Sequence, residues 1–131
     1  MTNIERLDRA ADIMRRKWIY EAETGLFFNR DNKNVIKGSL TSKGYLIVTV
    51  QEDDFKVALS YQKAAYVYCY GAYDEALFDV HHINLQKQDN RIKNIRLLPK
   101  ERHRRIHRNV RRIRSLGLTQ YLDPQRIEQS L

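Results

Sequence analysis

One cysteine, Cys69, in 131 residues excludes an internal disulfide and a Cys-rich zinc site, so any metal must be held by His, carboxylate or Asn groups. Two prolines and five glycines are too few for a collagenous or low-complexity chain, and 42% hydrophobic residues are enough to fold. No uninterrupted apolar run approaches the roughly eighteen residues a bilayer span needs. The segment MTNIERLDRAADIMRRKW lacks the apolar centre of a secretion signal. These absences lead us to expect a soluble, unexported, cytoplasmic protein with no membrane partner. The length excludes a large multidomain enzyme and suits one compact domain, or a small domain with an extension.

Acid is scarce in one place. From Arg91 to Arg114 there are eleven Lys or Arg and one acid, Glu101, so those 24 residues carry +10 while the other 107 sum to −2. A charge run is usually a solvated helix face. One this lopsided repels itself unless a polyanion lies nearby, and phosphate neutralisation is its commonest use.

The apolar pattern predicts an α+β fold. Residues 2–18 read as a packing helix with Ile4, Leu7, Ala11 and Met14 at three- and four-residue steps. GLFFNRDNKNVIKGSL, GYLIVTV and FKVALS then read as three antiparallel strands between turn clusters, and SYQKAAYVYCY as a helix capped by Ser60 and stopped at Gly71. On that helix the aromatics read as core, and Cys69 as a small buried residue. A different unit follows, with LFDVHHI as a strand, NLQKQDN as a loop, RIKNIRLL as a second strand and a long helix opening at Pro99. Ile106, Val110, Ile113 and Leu116 form that helix's apolar stripe, and Gly117 its stop. A short helix after Pro124 completes the reading. The divisions are 1–74 as an N-terminal helix, sheet and helix, 75–118 as a ββα unit and 119–131 as a tail.

All four histidines fall within 27 residues, as His81 and His82 and as His103 and His107. Residues four apart share a helix face, so the second pair can aim at one ion while a strand histidine adds a third nitrogen. Three neutral imidazoles plus solvent make an open site, suited to zinc, nickel, copper or iron better than to magnesium. Adjacent strand residues point to opposite sides, so one of His81 and His82 is left over. A free imidazole beside a metal and a basic helix can take a proton from water attacking a phosphate, which reads as phosphodiester hydrolysis. A purely structural zinc site would prefer four protein ligands and has no use for the spare histidine.

The run HHINLQKQDNRIKNIRLLPKERHRRIH resembles the ββα-metal motif of HNH endonucleases, also called His-Me finger nucleases, over residues 77–114. The double histidine followed by a helical H-x-x-x-H is similar to DNase colicins; His81 stands where phage homing enzymes often have Asp. The resemblance implies His82 as general base, and His81, His103 and His107 as ligands of a single divalent ion, Mg, Mn, Zn or Ni. It also implies Asn94 as the middle Asn that bonds across the hairpin loop, with Asn90 as the competing candidate. It further implies cleavage leaving 5′-phosphate and 3′-hydroxyl ends.

Upstream, YEAETGLFFNRDNKNVIKGSLTSKGYLIVTV followed by FKVALSYQKAAYVYCYG is similar to the sheet plus helix that precedes this motif in phage and intron-encoded homing endonucleases. Such a sheet can lie in a major groove, with Arg30, Lys33, Lys37 and Lys43 on its turns reaching phosphates or base edges; the bland reading is ordinary solvated turns. In the basic segment Arg91, Arg96, Arg104, Arg105, Arg108 and Arg111 are the expected DNA contacts.

The expected function is a metal-dependent, site-specific endonuclease of homing type, phage or microbial, acting on double-stranded DNA. The alternative is a catalytically silent DNA-binding protein on the same scaffold. A toxin-type nuclease is a third reading that would need delivery modules or an immunity partner. A palindromic cut site would argue for a homodimer.

Overall fold

A computed structural model describes residues 1–123, the side chain of Tyr121 apart; the helix expected after Pro124 lies outside the described residues. Helix α1 (Asn3–Lys17) starts at Thr2, whose hydroxyl accepts from the Glu5 N–H at 3.1 Å while Glu5 reaches back to the Thr2 N–H. This capping box satisfies two donors the first turn leaves open, and Arg15, Arg16 and Lys17 complement the dipole at the other end. Leu7, Ala10, Ala11, Ile13 and Met14 are buried. Ile4, expected in that stripe, is 42% exposed because it sits in the first turn, before the helix meets the core.

The region between Trp18 and Ser60 holds six strands in two antiparallel sheets, where the sequence suggested three strands in one. The first sheet joins β1 (Trp18–Glu21), β2 (Leu26–Asn29) and β3 (Val35–Ile36); the second joins β4 (Ser39–Leu40), β5 (Leu46–Glu52) and β6 (Phe55–Ser60). The run GLFFNRDNKNVIKGSL divides into β2, β3 and β4, and two-residue strands are too short to leave an alternation in sequence. Between β2 and β3 the Asn29 carboxamide oxygen accepts from the Asp31 and Asn32 N–H groups, the Asx-turn chemistry that reverses the chain. In β6 Phe55, Val57 and Leu59 alternate inward with a period of two.

Helix α2 (Tyr61–Tyr70) follows directly. Ser60 stands at its N-cap but makes no side-chain capping bond; Gly71, at φ +91°, ends it. Tyr61 is fully buried, its hydroxyl accepting from the Phe27 N–H at 2.6 Å and donating to the Ile36 carbonyl at 2.8 Å, which ties the helix to the first sheet. Cys69 was expected inside; it is exposed, on the last turn as the helix leaves the core.

Strands β7 (Phe78–His82) and β8 (Ile95–Pro99) pair antiparallel, His81 opposite Arg96 and His82 opposite Ile95. A 3₁₀ turn at Ile92–Asn94 places Asn94 just ahead of β8 rather than within it. Pro99 ends β8 and takes the N-cap of α3 (Lys100–Ser115), whose Ile106 and Val110 are buried with Leu98. Val80 and Ile95 of the hairpin belong to the same apolar cluster as Leu7, Phe27 and Val67, so the hairpin is backed by the upstream core. Leu116, expected on the α3 stripe, is 61% exposed because it already occupies the C-cap. Gly117, at φ +70°, donates to the Arg114 carbonyl and Leu118 to that of Ile113, a Schellman close that uses the last free carbonyls.

One upstream turn is fastened to the hairpin loop. Gly25, at φ +73°, lies so close to the Asn90–Arg91 peptide that a Cβ would come within 2.3 Å of the Arg91 nitrogen. Tyr20 adds a hydrogen bond to the Asn90 carbonyl at 2.6 Å. Gly25→Ala combines a left-handed backbone with a backbone clash, so urea unfolding should show a loss of about 2–4 kcal/mol. A change under about 0.5 kcal/mol would mean the two segments are not held together.

Candidate metal centre and active site

Strand β7 and helix α3 bring His81, His103 and His107 together. One ring nitrogen from each lies within 4.8 Å of the others. The helical pair, one turn apart, has ring centroids 4.4 Å apart and Nε2 atoms at 2.9 Å, and His81 stands 5.2 Å from His103 between centroids. Nitrogens bound tetrahedrally at about 2.0–2.1 Å lie about 3.3 Å apart, so a slight opening of the helical pair and an approach of His81 would fit the trio to one such ion. His103 donates from Nδ1 to the Asp79 carboxylate at 3.1 Å, which leaves its Nε2 lone pair facing the cluster. Asp79 also accepts from Lys100 at 2.9 Å; burial pushes its carboxyl up, but the bonds from Lys100 and His103 outweigh this and hold it below the ordinary range.

His82 stays outside the trio, held instead by the hairpin loop. It is 6% exposed, and its Nε2 meets the Asn90 carboxamide oxygen at 2.7 Å. An oxygen acceptor there requires Nε2 to carry the proton, leaving Nδ1 as the free acceptor. Asn94 does something else. Its side chain accepts from the Asn84 N–H at 3.0 Å and donates to the Asn84 carboxamide oxygen and the Asp89 carbonyl, bracing the loop from both sides. Asn94, the middle Asn of the resemblance, and its competitor Asn90 thus divide two tasks. Asp89 is further held by Asn84 and by both arms of Arg91, and the Arg91 guanidinium first of all brings its carboxyl down to about 2.

His81 and His82 line one cavity of about 190 Å³ together with His103, His107, Tyr45 and Gln62. Burial drives His81 down to about 3 and His107 to about 4, with the neighbouring imidazoles adding to the effect; burial also lowers His82 despite the opposing Asn90 bond. These rings are therefore neutral at pH 7, the form that offers a lone pair. The folded state binds fewer protons here than the unfolded chain. Stability is full above the unfolded value near 6.5 and drains away as pH falls toward the folded values. For metal-free protein we expect Tm to drop by at least about 4 °C between pH 7 and 5, less so in His81→Asn. Equal profiles for the two proteins would contradict this.

The arginines separate into two groups. Arg104, Arg108 and Arg111 line an open groove beside His103 and His107, and Arg111 also borders the cavity. Others are engaged in the fold. Arg91 clamps Asp89, Arg105 pairs with Glu101 at 2.7 Å, and Arg30 donates to the Arg15 and Trp18 carbonyls. Arg96, Lys33, Lys37 and Lys43 are exposed; Arg96 lies opposite His81 in the hairpin, Lys33 donates to the Arg30 carbonyl, and the Lys43 carbonyl accepts from Lys87. Asp79, Gln62, Tyr45 and Lys87 were not anticipated. Only Asp79 had a local signal, since it shares a strand face with His81 at a two-residue step. Lys87 lies over the Tyr45 ring at 4.8 Å, and that ring stands 6.1 Å from His82.

A β-hairpin backed by a helix, with three imidazoles converging and a fourth held apart, is a ββα arrangement whose three nitrogens could hold a metal ion. Residues 63–105 match the model of the HNH endonuclease family (HNH_3), the family that the residues resemble. The fold is similar to a solved structure of DNA binding and cleavage by the HNH homing endonuclease I-HmuI. The TM-score is 0.54 and the identity 17%, over 86% of this chain and 58% of that one, so this chain spans little more than half its length. No curated protein matches the chain. Among the described residues, no helix is long and apolar enough to cross a membrane.

Proposed function

We propose that this protein is a metal-dependent, site-specific endonuclease of homing type that hydrolyses double-stranded DNA, with His82 as general base. The observation that carries the reading is the sharing of one cavity by three converging imidazoles and a fourth pinned by Asn90. In this proposal His81, His103 and His107 hold a single divalent ion, Mg, Mn, Zn or Ni, with Asp79 orienting His103. When bound, that ion would supply Lewis-acid neutralisation of charge on the phosphoryl group. His82 Nδ1 takes one proton from a water as its oxygen bonds to phosphorus. The P–O3′ bond breaks, its electron pair leaves on the 3′ oxygen, and that oxygen takes a proton from solvent. Asn90 fixes the tautomer this requires, and Asn94 braces the loop that carries Asn90.

Arg104, Arg108 and Arg111 bind phosphates along the groove; Arg96, Lys37 and Lys43 extend the contact, and Arg30, Arg91 and Arg105 contribute field more than direct contact. The test is incubation with plasmid and a panel of Mg²⁺, Mn²⁺, Ni²⁺ and Zn²⁺, mapping ends on both strands. At least one ion should give cuts with 5′-phosphate ends, and paired cuts related by a palindrome would indicate a homodimer. No cutting with any ion would overturn the reading. Replacing Arg104, Arg108 and Arg111 by Ala should also flatten the log–log salt dependence of DNA binding by about 2–3. An unchanged slope would remove the groove from the interface. The deep burial of His82 favours a second reading, a silent DNA-binding protein, which predicts salt-sensitive binding without cleavage under every ion.

A further inference from the structure

Gln62 stands in the first turn of α2, just outside the matched HNH segment, and its side chain forms part of the wall of the histidine cavity. It is 8% exposed, and its carboxamide oxygen is buried with no hydrogen-bond partner. A buried acceptor without a donor is a cost that a leucine of similar size would not carry, and the histidine cavity that Gln62 lines is a place from which a donor can reach it. His82 lines the same cavity. The Asn90 bond occupies His82 Nε2 and leaves Nδ1 as that ring's lone pair. Two acceptors on residues that line one small cavity call for a ligand with two donors. A phosphodiester has none, whereas water has two. The cavity, at about 190 Å³, has room for water beside a phosphate.

We propose that Gln62 is a further catalytic residue: its carboxamide oxygen accepts a hydrogen bond from one O–H of the attacking water, whose other proton goes to His82. This rests on the nuclease reading above. With one O–H directed at Gln62 and the other at His82 Nδ1, the water's lone pairs are free, and one of them forms the bond to phosphorus. The proton facing Gln62 stays on the oxygen and ends as part of the new phosphate. Gln62 thus orients the nucleophile without itself titrating, and it couples α2 of the upstream unit to the chemistry of the hairpin.

The test uses the full chain and two readouts. In a high-resolution crystal structure, an ordered water should lie within hydrogen-bond reach of both the Gln62 oxygen and His82 Nδ1, and it should be missing in Gln62→Leu. With Mn²⁺ and a duplex substrate, Gln62→Leu should lower the single-turnover rate by about 10–100-fold. Its DNA affinity should stay within about twofold of wild type, and Tm should be equal or higher, since an unpaired polar group has been removed. Gln62→Glu, which keeps an acceptor, should cleave faster than Gln62→Leu. Wild-type cleavage by Gln62→Leu while His82→Ala is inactive would overturn this proposal and leave the nuclease reading standing. A rate loss that follows a loss of Tm, or a cavity with no water on both groups, would also overturn it. A wild-type protein that cuts nothing overturns both.

Discussion

His82→Ala should lower the single-turnover cleavage rate by about 10²–10⁴-fold, or about 3–5 kcal/mol of barrier, while DNA and metal affinity hold. The separation is expected because the ring is bonded to Asn90 and lies outside the converging trio. Its deletion removes the proton acceptor without touching the ligand trio. Asn90→Ala should give a smaller loss, since the ring survives but loses the bond that sets its tautomer. Quench-flow on a labelled duplex reads both. Cleavage by His82→Ala at the wild-type rate would move the base elsewhere.

The second large effect concerns the trio. His103 is the best-supported ligand, with Asp79 directing one ring nitrogen and His107 meeting the other at 2.9 Å. His103→Ala should weaken Zn²⁺ or Mn²⁺ binding by more than about 100-fold, and Asp79→Ala by about 10–100-fold through loss of the orienting bond. Because binding to the folded state alone adds about 2.7 kcal/mol at a hundred times Kd, metal should raise the Tm of wild type. Chelation should reverse the rise, and His103→Ala should show none. Titration calorimetry and thermal scans check both. An undiminished rise in His103→Ala would place the ion at other residues.

The parts of this architecture that are local were legible in the residue order. His81, His82, His103 and His107 announce their grouping through strand alternation and the four-residue helical step, and Pro99 and Gly117 mark the ends of α3. What was hidden depends on contacts between distant segments. Gly25 against the Asn90–Arg91 peptide and Gln62 on the cavity wall join residues with no shared periodicity. The division of labour between Asn90 and Asn94 is set by how the loop closes, which no spacing records. Strands β3 and β4 escaped because two residues carry no alternation. Cys69 and Leu116 were misplaced because an apolar pattern says where a face lies, not how far along it the core extends.

Anomalous diffraction from crystals grown with Zn²⁺ or Mn²⁺ tests the central claim most directly. A single ion bonded to His81, His103 and His107, with His82 uncoordinated and still donating to Asn90, is the predicted result. An ion coordinated by His82, or no ion at the trio under saturating metal, would contradict it.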